Sequence, residues 1–224
     1  MNRKELLDKL ATNITGLNKD HPIRVGIDGV DASGKTSLAE ELAEHLQSCR
    51  RQIIRASIDG FHNPREVRYK KGRNSPEGYY LDSFDNKRAA EVLLNPLGPA
   101  GNLKFRTAVF DYRSNSEVIS PIQQADRDAI LIMEGVFLFR PELIDCWDLR
   151  MFVDVDFETT VDRAVRREVE RDKSWQGREA ELKEQYHQRY VPGQKIYFDE
   201  AQPKQKADIV IDNSNFESPT MTFN

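Results

Sequence analysis

The stretch Ile23-Arg24-Val25-Gly26-Ile27-Asp28-Gly29-Val30-Asp31-Ala32-Ser33-Gly34-Lys35-Thr36 constrains the chain more than any other. An apolar run gives way to a glycine loop and then to an amphipathic segment, which predicts a buried strand, a tight turn and a helix. Gly29, Gly34, Lys35 and Thr36 match the phosphate-loop pattern G-x-x-x-x-G-K-[ST]. The chemistry needs that spacing. Two glycines let the backbone curl so that successive N–H groups face one anion. The helix opening near Lys35 adds the positive end of its dipole. Lys35 can reach the outer phosphates of a nucleoside triphosphate, and the Thr36 hydroxyl can hold Mg²⁺. Gly29, Val30, Asp31, Ala32, Ser33, Gly34, Lys35, Thr36 and Ser37 are therefore the candidate ATP-binding residues, with ATP and Mg²⁺ the implied ligands.

A chain of 224 residues suits one α/β domain carrying a small lid, here residues 1–224. A net charge of −4 argues against bulk nucleic-acid binding. Cys49 and Cys146 lie far apart with no metal spacing, as expected of free thiols in a reducing compartment. The first residues lack a secretory apolar core and no run approaches membrane-spanning length, so the expected location is cytoplasmic, away from membranes. Composition leaves room for a homo-oligomer.

Leu6, Leu10, Ile14 and Leu17 recur on one stripe and predict a helix over 3–17. Leu38, Ala39, Leu42, Ala43 and Leu46 predict another over 36–47. Residues 52–59 read as a second buried strand ending in Asp59-Gly60-Phe61-His62. A carboxylate at the end of a parallel strand is where open α/β sheets put chemistry. Residues 61–83 are long, polar and irregular, with Arg65, Arg68, Lys70, Lys71, Arg73, Tyr79 and Tyr80, and read as a substrate flap. Ser83 is placed to cap a helix over 84–94. Alternation over 103–112 and 117–122 suggests a small antiparallel ribbon bearing Phe110 and Tyr112.

Ile130-Leu131-Ile132-Met133 is a third strand, and the Glu134 that follows is placed to stand beside a metal. Strands over 149–155 and 207–213 complete the pattern, and the tail after Asn213 reads as frayed. A helix over 158–172 carries Arg163, Arg167 and Arg171 on one face and Arg166 at its edge, the pattern of a lid closing on a triphosphate. A second lid helix over 179–190 should stop at Val191-Pro192-Gly193, giving lid helices over about 158–190.

The chain is similar to the uridine kinase, phosphoribulokinase and pantothenate kinase family of P-loop kinases, and the order of its motifs resembles uridine kinases most. The likeness rests on Gly29–Thr36, Ser57-Ile58-Asp59-Gly60-Phe61-His62, Asp82-Ser83-Phe84-Asp85, Met133-Glu134-Gly135, the arginine helix and Ala207-Asp208-Ile209-Val210-Ile211. It implies an α/β fold with a five-stranded parallel sheet in order 2-3-1-4-5. It also implies Asp59 as the carboxylate facing the acceptor hydroxyl, with Arg163 and Arg167 in the lid. Four positions depart from uridine kinases. Tyr79 stands where they carry an acidic residue that holds the ribose. Phe110 and Asn115 stand where they carry tyrosine and histidine, and Thr160 where their lid begins with arginine.

The expected reaction is transfer of the γ-phosphate of ATP to a hydroxyl of a small metabolite. The expected catalytic residues are Lys35, Asp59, Arg163 and Arg167, with Arg166 on the triphosphate. Phe61, His62, Arg65, Tyr79, Tyr80, Phe110 and Tyr112 shape the acceptor pocket beside Asp59, and Thr36 with Glu134 holds the metal. A nucleoside acceptor leads, and the basic flap keeps an anionic sugar-phosphate or pantothenate-like acceptor open. A regulatory GTP switch would need Asn-Lys-x-Asp, whereas Asn86-Lys87 is followed by Arg88-Ala89. A silent nucleotide-binding module is disfavoured by the intact Lys35, Thr36, Asp59 and Glu134.

Overall fold

A computed structural model describes residues 1–224. Its centre is a sheet built from β1 (Ile23–Gly29), β2 (Ile53–Ser57), β3 (Ile130–Gly135), β4 (Leu149–Asp154), β5 (Ile209–Asp212) and β6 (Thr220–Phe223). The strand order is β2-β3-β1-β4-β5-β6. The first five are parallel and stand in the order the sequence implied. The sixth corrects the expectation of a frayed tail, because it pairs antiparallel with β5 and covers that edge. Only Met221 of this strand packs on the core, so its apolar signal was too sparse to read.

Register does most of the work of assembling the site. Ile27 of β1 and Ser57 of β2 both stand beside Glu134 of β3. The carboxyl ends of three strands therefore open on one crevice, at the point where chain order reverses across the sheet.

Helices α1 (Arg3–Thr15) and α2 (Lys35–His45) cover one face. Leu6, Leu10 and Ile14 of α1 pack with Leu38 and Leu42 of α2 against Val25, Ile27 and Ile132. Asn2 caps α1 in a reciprocal capping box with Glu5. The opposite face is buried by Tyr79 and Tyr80 of α3 (Pro76–Asp82) with Phe137, Phe139 and Tyr197. Strand alternation sends Leu131 and Met133 to this face and Ile130 and Ile132 to the other.

Segment 61–83 is more ordered than its composition suggests. It holds a helical turn at Arg65–Arg68 and then α3, whose cap Ser75 accepts from the Gly78 N–H. Asp85 rather than Ser83 caps the helical turn that follows, since its carboxylate accepts from the Arg88 N–H at 2.8 Å. The ribbon forms as two short pairings, Lys104–Phe105 with Gln123–Gln124 and Phe110–Asp111 with Ser116–Glu117.

The lid begins with α4 (Phe157–Arg171), capped by Asp156. Its partner α5 (Glu179–Gln185) does not end at Val191-Pro192-Gly193. It runs through a π-helical turn at Tyr186–Tyr190 into α6 (Val191–Ala201). Pro192 falls in the first turn of α6, where its missing N–H costs little, and the widened turn ahead of it relieves the ring's clash with the preceding carbonyl. No helix is long and apolar enough to cross a membrane.

Candidate active site

The crevice at the ends of β1, β2 and β3 is a cleft of about 710 Å³, walled by the phosphate loop, the lid and the ribbon. The loop after β1 has the geometry its glycines predicted. Gly34 sits at φ 96, a left-handed conformation that L residues rarely adopt, and opens α2. A Cβ at Gly34 would stand 2.5 Å from Asn213 Nδ2, and that amide donates to the Ser33 carbonyl at 2.7 Å. The end of β5 thus pins the loop from outside. Gly29 leaves no room for a side chain either, because a Cβ there would stand 2.5 Å from the Val153 carbonyl.

Lys35 is buried, and its Nζ donates to the Val30 carbonyl at 2.6 Å. Burial pushes its pKa down, while the charges of Asp31, Glu134 and Asp28 push it back up. Thr36 Oγ1 donates to Glu134 Oε2 at 3.2 Å. A hydroxyl and a carboxylate at the mouth of an anion cradle are a hard-oxygen donor set. That set fits Mg²⁺, which keeps several waters and takes its remaining ligands from phosphate. The curled loop, Lys35 and this oxygen pair are together suited to a magnesium-bound triphosphate.

Asp59 lies in the 3₁₀ turn after β2, across the cleft from the loop. Its side chain is 58 % exposed and makes no hydrogen bond; the nearest cation candidate is His62 Nδ1 at 4.0 Å. Desolvation by the walls of the cleft and the charges of Glu134 and Asp31 raise its pKa to about 6. A base needs its ionised form, and kcat/KM reports the free enzyme. We therefore expect kcat/KM to rise with pH through about 6 and to level off above it. A ¹³C titration of the free protein should show two carboxyl midpoints near 6, from Asp59 and Asp28, of which one vanishes in Asp59→Asn. A flat profile between pH 5 and 8 would count against Asp59 as base.

His62 Nδ1 contacts the Asp59 carbonyl at 3.0 Å. Burial holds its pKa down at about 4, so the ring is neutral at pH 7. It lies between Phe84 and Tyr112, with ring centroids 4.5 and 4.7 Å away. The Tyr79 hydroxyl donates to Asp31 Oδ2 at 2.9 Å.

Several sequence-derived site residues fall outside the cleft. Phe61 and Tyr80 are core residues, Tyr80 packing on Phe137 and Tyr197. Phe110 is buried under the ribbon. Arg65 is exposed on its helical turn, its N–H bound by the Asn115 side chain. In each case the polar or aromatic composition of a segment gave no sign of which face would turn inward. Arg166 also points away, whereas Arg163, Arg167 and Arg171, four residues apart, all line the cleft. The helical period decides that outcome. Arg163 is anchored by the Asn213 and Ser214 carbonyls.

Other cleft residues escaped the sequence reading. Tyr186 and Tyr190 enter it from the π-helical turn, and Trp175 from the link between the lid helices. Two tyrosines four apart ahead of a proline were the available signal. Asp28 also went unremarked. It is fully buried beneath the loop, accepting from the Gly29 N–H at 2.6 Å, the Phe139 N–H at 3.2 Å and the Tyr197 hydroxyl. Burial raises its pKa to about 6 despite those bonds.

A family model described as the cytidylate kinase-like family matches residues 24–215. Uridine-cytidine kinase B of Dictyostelium discoideum is 30% identical over 173 residues, covering 75% of this chain and 68% of that protein. A uridine kinase of Bacillus cytotoxicus is 30% identical over 160 residues, covering 69% of each. Among solved structures, a possible uridine kinase from Bacillus stearothermophilus superposes with a TM-score of 0.72 at 22% identity, over 92% of this chain and 97% of that one. The last likeness speaks to fold alone, an α/β fold with a mostly parallel central sheet flanked by helices.

Proposed function

This chain belongs to the cytidylate kinase-like family and is a kinase, and we propose that it transfers the γ-phosphate of ATP to a hydroxyl of a nucleoside. One observation carries the acceptor. The Asp59 carboxylate shares the cleft with a cluster of neutral rings, His62 packed on Phe84 and Tyr112, that gives the cleft an aromatic wall for a planar base. The relatives named as uridine kinases point the same way.

We assign the roles as follows, with the geometry of the cleft as their support. Amides of the loop from Gly29 to Thr36, together with Lys35, hold the β- and γ-phosphates. Thr36 and Glu134 would hold Mg²⁺, which when bound supplies positive charge to the phosphate oxygens. Asp59 orients the acceptor hydroxyl and takes its proton as the new oxygen–phosphorus bond forms and the bond to the leaving ADP oxygen breaks. Arg163 and Arg167 spread positive charge over the transferring group, with Arg171 farther along the same face. The transition state is loose, so placement and electrostatics carry the catalysis. His62 serves as pocket wall, since its low pKa leaves it a weak base.

A coupled ADP-release screen over nucleosides, sugar phosphates and pantothenate-like acids tests this reading. We expect ADP release to depend on acceptor and to be fastest with a nucleoside. Turnover of anionic acceptors alone would replace the nucleoside. ADP release indifferent to every acceptor would turn the assignment to a regulatory NTPase.

A further inference from the structure

We propose that Asp31, a carboxylate carried on the phosphate loop itself, holds a second hydroxyl of the acceptor, so that the site selects a molecule with two nearby hydroxyls and no negative charge between them. The proposal rests on the reading of the cleft as an acceptor site and names what that site recognises.

A carboxylate in a loop built to grip a triphosphate would oppose binding if it faced the anion. This one faces elsewhere. The Asp31 N–H donates to Gln194 Oε1 of α6 at 2.8 Å, and Oδ2 accepts from the Tyr79 hydroxyl of α3 at 2.9 Å. Gln194 Nε2 adds a longer contact to the same oxygen at 3.4 Å. Backbone and side chain are both turned out of the anion cradle toward the flap and lid.

The partners are rigid. Tyr79 is buried between Phe137 and Tyr190, with ring centroids 5.0 and 4.9 Å away. Burial and the charge of Asp31 keep its phenol protonated, so it can only donate to that carboxylate. Gln194 is buried and further tied to the Tyr190 carbonyl at 3.0 Å. The carboxylate is thus fixed through one oxygen. Its other oxygen, Oδ1, has no protein partner, and Asp31 lines the same cleft as Asp59. The negative charge of Asp31 is one cause of the raised pKa of Asp59.

A fixed, charged acceptor with one free oxygen, lining the same cleft as the base that deprotonates the reacting alcohol, suits a second alcohol. An O–H···O⁻ bond is among the stronger hydrogen bonds available to a neutral ligand. A phosphate or carboxylate at that point would meet like charge in a cleft where water screens poorly. Asp31 thereby argues for a neutral polyol over an anionic acceptor, whatever the basic residues at the outer rim of the flap.

The test is kcat/KM for uridine, 2′-deoxyuridine and 3′-deoxyuridine with the wild-type protein, Asp31→Ala and Tyr79→Phe, with ATP Kd measured for each. We expect the wild type to prefer the full diol over at least one deoxy analogue by about 10- to 100-fold, the range for one hydrogen bond to a charged group. Asp31→Ala should erase that preference by losing activity on the diol alone, and Tyr79→Phe should reduce it in part, with ATP affinity held or slightly tightened in Asp31→Ala, where a negative charge near Lys35 is gone, and little changed in Tyr79→Phe. Equal losses on all three nucleosides, a loss explained by ATP Kd, or no wild-type preference would overturn the hydroxyl site and leave the nucleoside reading standing. If no nucleoside turns over, the same comparison is made on a non-nucleoside polyol from the acceptor screen and its deoxy form. A preference there that Asp31→Ala abolishes keeps the site and rejects the nucleoside. Failure of every polyhydroxy acceptor rejects both.

Discussion

Replacing Asp59 with asparagine is expected to lower kcat by about 10²- to 10⁴-fold, the range of a lost general base. The shape of the side chain is kept, so the acceptor still fits. The carboxylate makes no hydrogen bond within the protein, and most of it faces the cleft. The fold therefore does not depend on it, and the melting temperature should stay within a few degrees of wild type. ATP affinity should hold or tighten slightly, because a negative charge facing the triphosphate is gone. A kcat near wild type would remove Asp59 from the reaction. A large fall in ATP affinity with kcat intact would make it part of the donor site.

Replacing Lys35 with alanine should cost kcat about 10²- to 10³-fold, comparable to losing one preorganised donor to a transition-state anion. The loss in ATP affinity should be smaller, about tenfold, since the loop amides and the start of α2 still meet the phosphates. Charge on the transferring group is redistributed in the transition state, and a fixed ammonium in a low-dielectric cleft responds to that change. Lys35→Arg should not restore activity, because Lys35 is buried with its ammonium on the Val30 carbonyl, and a guanidinium is larger, planar and presents its donors in a different geometry. A change confined to KM would contradict this. Lys35 also offsets Asp31, Glu134 and Asp28, so the alanine variant leaves three carboxylates less compensated. Circular dichroism and ATP titration together separate that structural effect from the catalytic one.

Some of the site was legible residue by residue and some was not. The arginine face of α4 could be read because a helix's period is fixed, and Arg163, Arg167 and Arg171 fall four apart. Glu134 could be placed beside Thr36 because a carboxylate after an apolar strand has few other positions. Tyr79 and Tyr80 are adjacent and alike in composition, yet one donates to the phosphate loop and the other supports the core beneath Arg140. Only the orientation of α3 separates them. The same holds for Phe61 and His62, neighbours that face opposite ways from one turn.

By itself the sequence determined the strand, loop and helix that cradle an anion, because glycine conformations, apolar runs and helical spacing act within a few residues. It also determined which carboxylates end the strands beside that cradle. Tertiary structure alone decided that Pro192 sits within a continuous lid, that the C-terminal residues add a sixth strand, and that Asp31 faces Tyr79 and Gln194. Those contacts join residues as much as 163 positions apart. They depend on how whole elements pack, and no local pattern records that.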